Sequence, residues 1–183
     1  MPETTRKKTY IKLIILTIAV IALDIITKEL VKSNMFLGQN IPVWGNFFNL
    51  TYVHNYGGAF GIKLGSRYFY IIAAIVATVV MVMWLLQKKH TNIGITGISL
   101  MFGGAMGNLW DRVTFGKVID YLNFGIGDSR WPFFNIADSA ITAGIVLLMI
   151  DELFFNPDKP KNIPVETCNK NDTTGNNAEP QNS

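Results

Sequence analysis

The chain has 183 residues, of which 49% are hydrophobic and 16% charged, with a net charge of +3. Soluble domains carry roughly 25% charged residues, so this composition points to lipid as part of the solvent. One cysteine, Cys168, and two histidines, His54 and His90, exclude an intrachain disulfide and leave neither an H-E-x-x-H nor a Cys/His cluster for a metal. No basic run is interleaved with aromatics, which argues against a nucleic-acid partner.

The first hydrophobic segment covers residues 10–31 and is interrupted late by Asp24 and Lys28. Arg6, Lys7 and Lys8 would suit the start of a secretory signal. However, Asp24, Lys28 and Glu29 stand where a small-residue cleavage site belongs, so an uncleaved transmembrane helix is expected. Residues 33–67 change character, with Gly38, Pro42, Gly45, Gly57, Gly58, Gly61 and Gly65. Among them Phe48, Leu50 and Tyr52 alternate with Asn49 and Thr51, the period of a short strand. The uncharged runs 68–87 and 91–110 predict two further spans, the latter reaching about 112. Residues 113–134 repeat the loop-and-strand character on a smaller scale. A fourth span is expected over 136–155, with Asp138 near its start, where one ionisable residue is tolerated. Residues 156–183 are polar and rich in Pro, Asn, Lys and Thr; they are expected to be a disordered tail after a single domain, 1–155.

Basic residues set the expected orientation. Arg6, Lys7, Lys8 and Lys12 precede the first span, Lys88 and Lys89 form a turn between the second and third, and Lys159, Lys161 and Lys170 follow the fourth. Lys63, Arg67, Lys117 and Arg130 are scattered through the longer opposite loops, with Lys32 and Arg112 at helix ends on that side. Both termini are therefore expected on the cytoplasmic side.

That topology gathers the polar residues. Asp24 lies about 20 Å along the first helix at 1.5 Å per residue, in the outer half. Asn108, Asp111 and Arg112 share a face at the outer end of the third, and Asn135 and Asp138 begin the fourth. Asn55 and Asp120 fall in the outer loops. Each has two readings. Asp24 and Lys28, four apart, suit a structural ion pair. Asp111 and Arg112 suit either a structural pair at a helix end or substrate binding. Asn135 suits an N-cap and Asp138 a first-turn carboxylate. Gly103 and Gly107 suit a close helix-packing face, within the bundle or between chains. Spacing alone does not decide whether Asp120 and Asp138 form a catalytic pair or are ordinary carboxylates. A Ser-His-Asp set around His54 has no G-x-S-x-G to support it.

The same residues resemble the lipoprotein signal peptidase (signal peptidase II) family over roughly residues 10–155. The resemblance rests on five boxes in order. They are Asp24 and Lys28 in D-x-x-x-K spacing; Asn55-Tyr-Gly-Gly-Ala59-Phe60; Gly103-Gly104-Ala-Met-Gly107-Asn108-Leu-Trp-Asp111-Arg112; Gly116-Lys-Val118-Ile-Asp120-Tyr121; and Phe134-Asn135-Ile-Ala137-Asp138. Gly58 and Tyr121 depart from it, standing where alanine and phenylalanine are common. The resemblance implies an all-α membrane protein, with four transmembrane helices, a small extracytoplasmic β-cradle and a periplasm-side helix. It implies catalytic Asp120 and Asp138. Asn55, Asn108, Arg112 and Asn135 would lie around the substrate, and Asp24, Lys28 and Asp111 would support them. No metal or organic cofactor is implied. The implied substrate is a diacylglyceryl-modified prolipoprotein, cut just before its lipidated cysteine. The enzyme would be a multi-pass monomer in the bacterial plasma (inner) membrane, among membrane lipid, with its site facing the periplasm or exterior.

Two other classes compete. A transporter or channel component with an acid–base relay would need polar residues through the full membrane depth, whereas the inner halves of these segments are apolar. A structural assembly subunit would use only the glycine face of the third span. The tail yields a prediction: truncation after Asn162, and Cys168→Ser, leave precursor cleavage by the membrane-inserted protein within about twofold of the full chain, because a polar segment without apolar periodicity adds no core. Cleavage rates at matched protein amounts check it.

Overall fold

The computed structural model describes residues 3–58, 65–87 and 91–155. Ala59 and Phe60, Gly61, Lys63, the Lys88–Lys89 turn, His90 and the 156–183 tail with Cys168 lie outside them. Eight elements and a final π turn follow one another: α1 (Glu3–Asn34), β1 (Asn40–Trp44), β2 (Phe48–Asn55), α2 (Arg67–Gln87), α3 (Asn92–Phe115), β3 (Val118–Ile126), β4 (Ser129–Arg130), α4 (Ile136–Ile150) and the π turn Asp151–Phe155. Among the described residues three helices are long and apolar enough to cross a membrane: Thr9–Asn34, Arg67–Leu85 and Asn92–Phe115. The α-helical part of α4 is shorter, but Asp151 keeps right-handed helical angles and the path runs on through the π turn.

Helix ends follow local chemistry. α1 overruns its expected limits of 10 and 31 at both ends, because no glycine or proline interrupts residues 3–34. Thr91 caps α3, its hydroxyl accepting from the backbone N–H groups of Ile93 and Gly94. α3 runs past the expected residue 112 to Phe115; its stop signal is Gly116, left-handed at φ +71°, whose N–H donates to the Arg112 carbonyl. α4 starts in a reciprocal capping box between Asn135 and Asp138.

α3 is the central helix, packed chiefly against α4 and α1 and less against α2. Its glycines set the closeness. A Cβ on Gly103 would stand 2.5 Å from Cβ of Val20 on α1, and one on Gly107 2.5 Å from an Asp24 oxygen. On the other flank a Cβ at Gly104 would run into the Ala137 carbonyl, and one at Gly97 would stand 2.9 Å from the Gly144 carbonyl. The G-x-x-x-G face is thus used within the bundle, between α3 and α1.

The strands form one antiparallel sheet in the order β1-β2-β3-β4, lying at the end of the bundle where α1 and α3 finish. The expected strand at Phe48–Tyr52 is β2, which extends to Asn55. Val31 in the last turn of α1 and Met35 just beyond its end bury themselves with Tyr52, Ile119 and Tyr121, fastening the sheet to the helices. Ile119 and Tyr121 face that cluster, so Asp120 between them points to the opposite face. Register between β2 and β3 shifts between Leu50 and Val53, a bulge next to the Val53–Asp120 pairing. No separate periplasm-side helix occurs among the described residues.

The α3–α4 contact generates a prediction. Gly104→Val pushes a branched side chain against a backbone carbonyl that cannot step aside. We expect a loss of about 1–3 kcal/mol, as for overpacked interiors, and a lower unfolding temperature in detergent.

Candidate functional site

The segment before α4 brings the distant acids together. The Tyr121 and Leu122 N–H groups donate to the Phe134 carbonyl at 3.0 and 2.8 Å, and the Phe134 N–H returns to the Leu122 carbonyl at 3.2 Å. This backbone tie lays residues 134–138 beside β3, so Asn135 and Asp138 meet Asp120.

Asp120 is 1% exposed. Its two oxygens accept from two amides: Asn55 Nδ2 donates to Oδ2 at 2.8 Å and Asn135 Nδ2 to Oδ1 at 2.7 Å. Burial pushes its pKa from the ordinary 3.8 up to about 6; the neighbouring Asp138 charge adds to this, while the two amides oppose it. Asp138 accepts from Asn108 Nδ2 at 2.8 Å and from the Asn135 backbone N–H at 3.2 Å. Asn135 therefore serves both acids: its carbonyl oxygen caps α4, accepting from the Asp138 N–H at 2.9 Å, while its Nδ2 holds Asp120. Its N-cap reading and its place in the site are one arrangement.

Lys28 lies beneath, 3% exposed, donating to Asp24 Oδ2 at 2.7 Å and Asn108 Oδ1 at 3.2 Å and forming an ion pair with Asp111 Oδ2 at 2.9 Å. The expected Asp24–Lys28 pair is present. The Asp111–Arg112 pair is not formed: consecutive residues on a helix point about 100° apart, and Asp111 turns to Lys28 and accepts from the Ile119 N–H at 3.3 Å. Arg112 instead donates to the Asn108 and Gly57 carbonyls at 3.2 and 3.1 Å and lies over the Tyr70 ring. Asp24 has a second task, its Oδ1 accepting from the Ala137 N–H in the first turn of α4 at 2.9 Å. His54 bonds to the Tyr52 hydroxyl at 3.0 Å, and burial lowers its pKa. On β2 it alternates away from Asn55, which faces Asp120.

A cavity of about 900 Å³ opens beside these groups, with Asn55, Asn108, Arg112 and Asp138 along one part of its wall. The remainder is largely apolar and comes from α2, α3, α4 and the stretch Trp131, Pro132, Phe133 and Phe134. Sequence reasoning missed this wall. Its signal was there: Ala74, Ala77, Thr78 and Met81 follow one helical face of α2, mostly small residues that leave room.

The family model described as Signal peptidase (SPase) II matches residues 16–154. The chain belongs to the signal peptidase II family. Its relatives include the lipoprotein signal peptidase of Desulforapulum autotrophicum, 40% identical over 152 residues covering 79% of this chain and 93% of the relative. That of Desulfitobacterium hafniense (strain DSM 10664 / DCB-2) is 44% identical over 142 residues, covering 75% and 91%. A bacterial membrane enzyme solved in meso at 2.3 Å resolution superposes with a TM-score of 0.74 at 32% identity, over 83% of this chain and 93% of the other. A second, solved at 1.9 Å, gives 0.71 at 34% identity, over 79% and 94%. The chain is thus a signal peptidase II family peptidase with membrane-spanning helices.

The buried Asp120 carboxyl makes stability depend on pH. An acid whose folded pKa is raised binds more protons folded than unfolded between the two values, so its contribution falls as pH rises from about 3.8 to about 6 and is level above. Two units correspond to about 3 kcal/mol, reduced where water reaches the group. Asp120→Asn lacks this component. Unfolding temperatures in detergent from pH 4 to 8 should show the variant gaining on the wild type up to about pH 6.

Proposed function

We propose that this peptidase removes signal peptides from lipid-modified prolipoproteins, cutting just before the lipidated cysteine by aspartate-activated water. The observation that carries the reading is the meeting of Asp120 and Asp138 at one end of the bundle, each held by asparagine amides, beside a large and mostly apolar cavity. Its relatives are lipoprotein signal peptidases by name.

The chemistry fits the arrangement. One carboxylate removes a proton from water as the hydroxyl adds to the peptide carbonyl carbon. The partner, carrying a proton, polarises the carbonyl oxygen and then supplies that proton to the leaving nitrogen as the C–N bond breaks. Two acids facing one another separate their titration steps, so one holds a proton while the other is ionised. Asn55, Asn108, Asn135 and Arg112 line or brace the place where substrate would sit; Asp24, Lys28 and Asp111 brace them from below. The substrate's acyl chains and apolar signal segment suit the α2–α4 wall of the cavity, and its cleavable stretch must be extended to expose a peptide bond, which favours the sheet as its partner.

Four membrane spans complete the proposal. The continuous helical path 136–155 is about 30 Å long, the thickness of the hydrocarbon core. The basic residues before the first span, between the second and third and after the fourth favour cytoplasmic termini, and with that orientation the acids open toward the periplasm or exterior of a bacterial plasma membrane. The chain would act as a monomer.

The test is cleavage of a lipidated and an unlipidated precursor by purified enzyme. Asp120→Asn and Asp138→Asn should each lower turnover of the lipidated precursor by at least about 10³-fold while folded protein accumulates normally, since an amide neither accepts nor supplies the required proton. The double variant should be scarcely worse than either single one, as groups acting as a unit are strongly non-additive. The pH–rate profile should be bell-shaped, with both limbs belonging to the pair. Near-normal turnover by either variant rejects the aspartic mechanism, and equal cleavage of the unlipidated precursor rejects the substrate.

A further inference from the structure

We propose that Lys28 is a positioning residue: its buried ammonium fixes the Asn108 amide so that an N–H, and not a carbonyl oxygen, faces Asp138. The inference rests on the place given to Asp138 in the catalytic pair.

A side-chain amide offers donors on one side and an acceptor on the other, and the two sides have nearly the same shape. Its neighbours decide which way it turns. On the Asn108 oxygen side stand two donors, Lys28 Nζ at 3.2 Å and Asn135 Nδ2 at 3.2 Å. On its nitrogen side stands Asp138 Oδ1 at 2.8 Å. Turned over, Asn108 would set its N–H groups against an ammonium that cannot accept and an amide N–H, and its carbonyl oxygen against a carboxylate. Lys28 is buried at 3% exposure and Asn108 at 6%, so the mismatch between their donors would be costly, and the carbonyl oxygen would in addition face a carboxylate.

The ammonium donates to Asp24 and to Asn108, and Asp111 stands beside it as a second ion-pair partner at 2.9 Å. The two carboxylates supply the countercharge that lets a cation stay at this depth. The bond to the amide has no part in charge balance. The line runs from α1 through α3 to α4, from ammonium to amide to carboxylate. The other charged groups around Asp138 are Arg112 on α3 and Asp120 on β3. Neither hydrogen-bonds to the Asn108 side-chain amide; Arg112 meets Asn108 at its backbone carbonyl.

A merely structural Lys28 would need only its charge compensated; a positioning Lys28 needs its donor. The two separate in a charge-neutral background. Asp24→Asn with Asp111→Asn removes both carboxylates, and residue 28 is made neutral along with them in two ways: Lys28→Met keeps the length and packing of the side chain but has no donor, and Lys28→Gln keeps an amide donor near Asn108. Replacing a buried ionic group with uncharged atoms of similar volume is generally neutral or stabilising, so both triple variants should hold their fold. Full chains in detergent, qualified by unfolding temperature, are assayed for kcat and KM on the lipidated precursor. The Met triple variant should fall below the Gln triple variant by more than about tenfold in kcat with KM little changed, within the scale of a reacting group displaced by about 1 Å.

Equal kcat in the Met and Gln triple variants overturns the proposal, as does a difference confined to KM. Asp138→Asn in the same assay separates the two levels: if it turns over normally, the catalytic reading falls; if it is dead while the Met and Gln variants match, only the role of Lys28 falls. Should the Met variant not hold its fold, the Gln variant is compared with Asp138→Asn alone: it should turn over measurably faster, and a folded Gln variant as inactive as Asp138→Asn overturns the idea.

Discussion

One buried ammonium holds the functional end of this molecule together. Lys28 leaves α1, meets Asp24 of its own helix, and crosses to Asp111 and Asn108 of α3. A charge at that depth costs several kcal/mol unless it is paired and hydrogen-bonded, so these partners are a condition of folding more than a source of stability. The same group of residues also reaches α4, because Asp24 receives the Ala137 N–H at its start. Glycines at 103, 104 and 107 let the helices approach closely enough for these short bonds to form. Packing and polarity are therefore coupled: widening the α3 contacts would lengthen the polar bonds.

Above the charged cluster the contacts change in kind. Asp120 and Asp138 are held by asparagine amides and backbone N–H groups, with no ion pair at hydrogen-bonding distance among the described residues. The distinction suits proton transfer. A carboxylate clamped in a direct ion pair stays ionised, whereas one buried among neutral donors can take up a proton near neutrality. Asp120, pushed up to about 6 chiefly by burial, shows the effect. The site thus stores a modest instability, and the neutral variant that relieves it is also the one expected to lose activity.

The third component is empty space beside polarity. The cavity puts Asn108, Arg112 and Asp138 at the edge of a wall built from alanines, threonines and methionines of α2, α3 and α4. Polar groups this close to apolar surface can serve a substrate that is itself divided, with a peptide bond to be hydrated and hydrophobic parts that should stay dry. The sheet, fastened by Val31 and Met35 to the end of α1, carries Asn55 and Asp120 over this boundary.

Much of this was legible in the amino-acid order. The apolar runs located the helices, because lipid demands an uninterrupted length, and the alternation at Phe48–Tyr52 located β2. The D-x-x-x-K spacing placed one ion pair on a single helix face, where local geometry alone determines the contact. Helix ends were less legible: α1 and α3 ran on to the nearest true stop, which for α3 was Gly116 and not the charged pair before it. Three features were decided only by tertiary structure. Asp111 chose Lys28 over its neighbour Arg112, because the preference depends on which helix lies opposite. Asn135 bonded to Asp120 because the Phe134–β3 backbone tie, a long-range pairing with no marker in sequence, laid α4's first turn beside the strand. The cavity exists because small side chains on separate helices face one another. Composition can make such a gap permissible, but only the packing of the helices can open it.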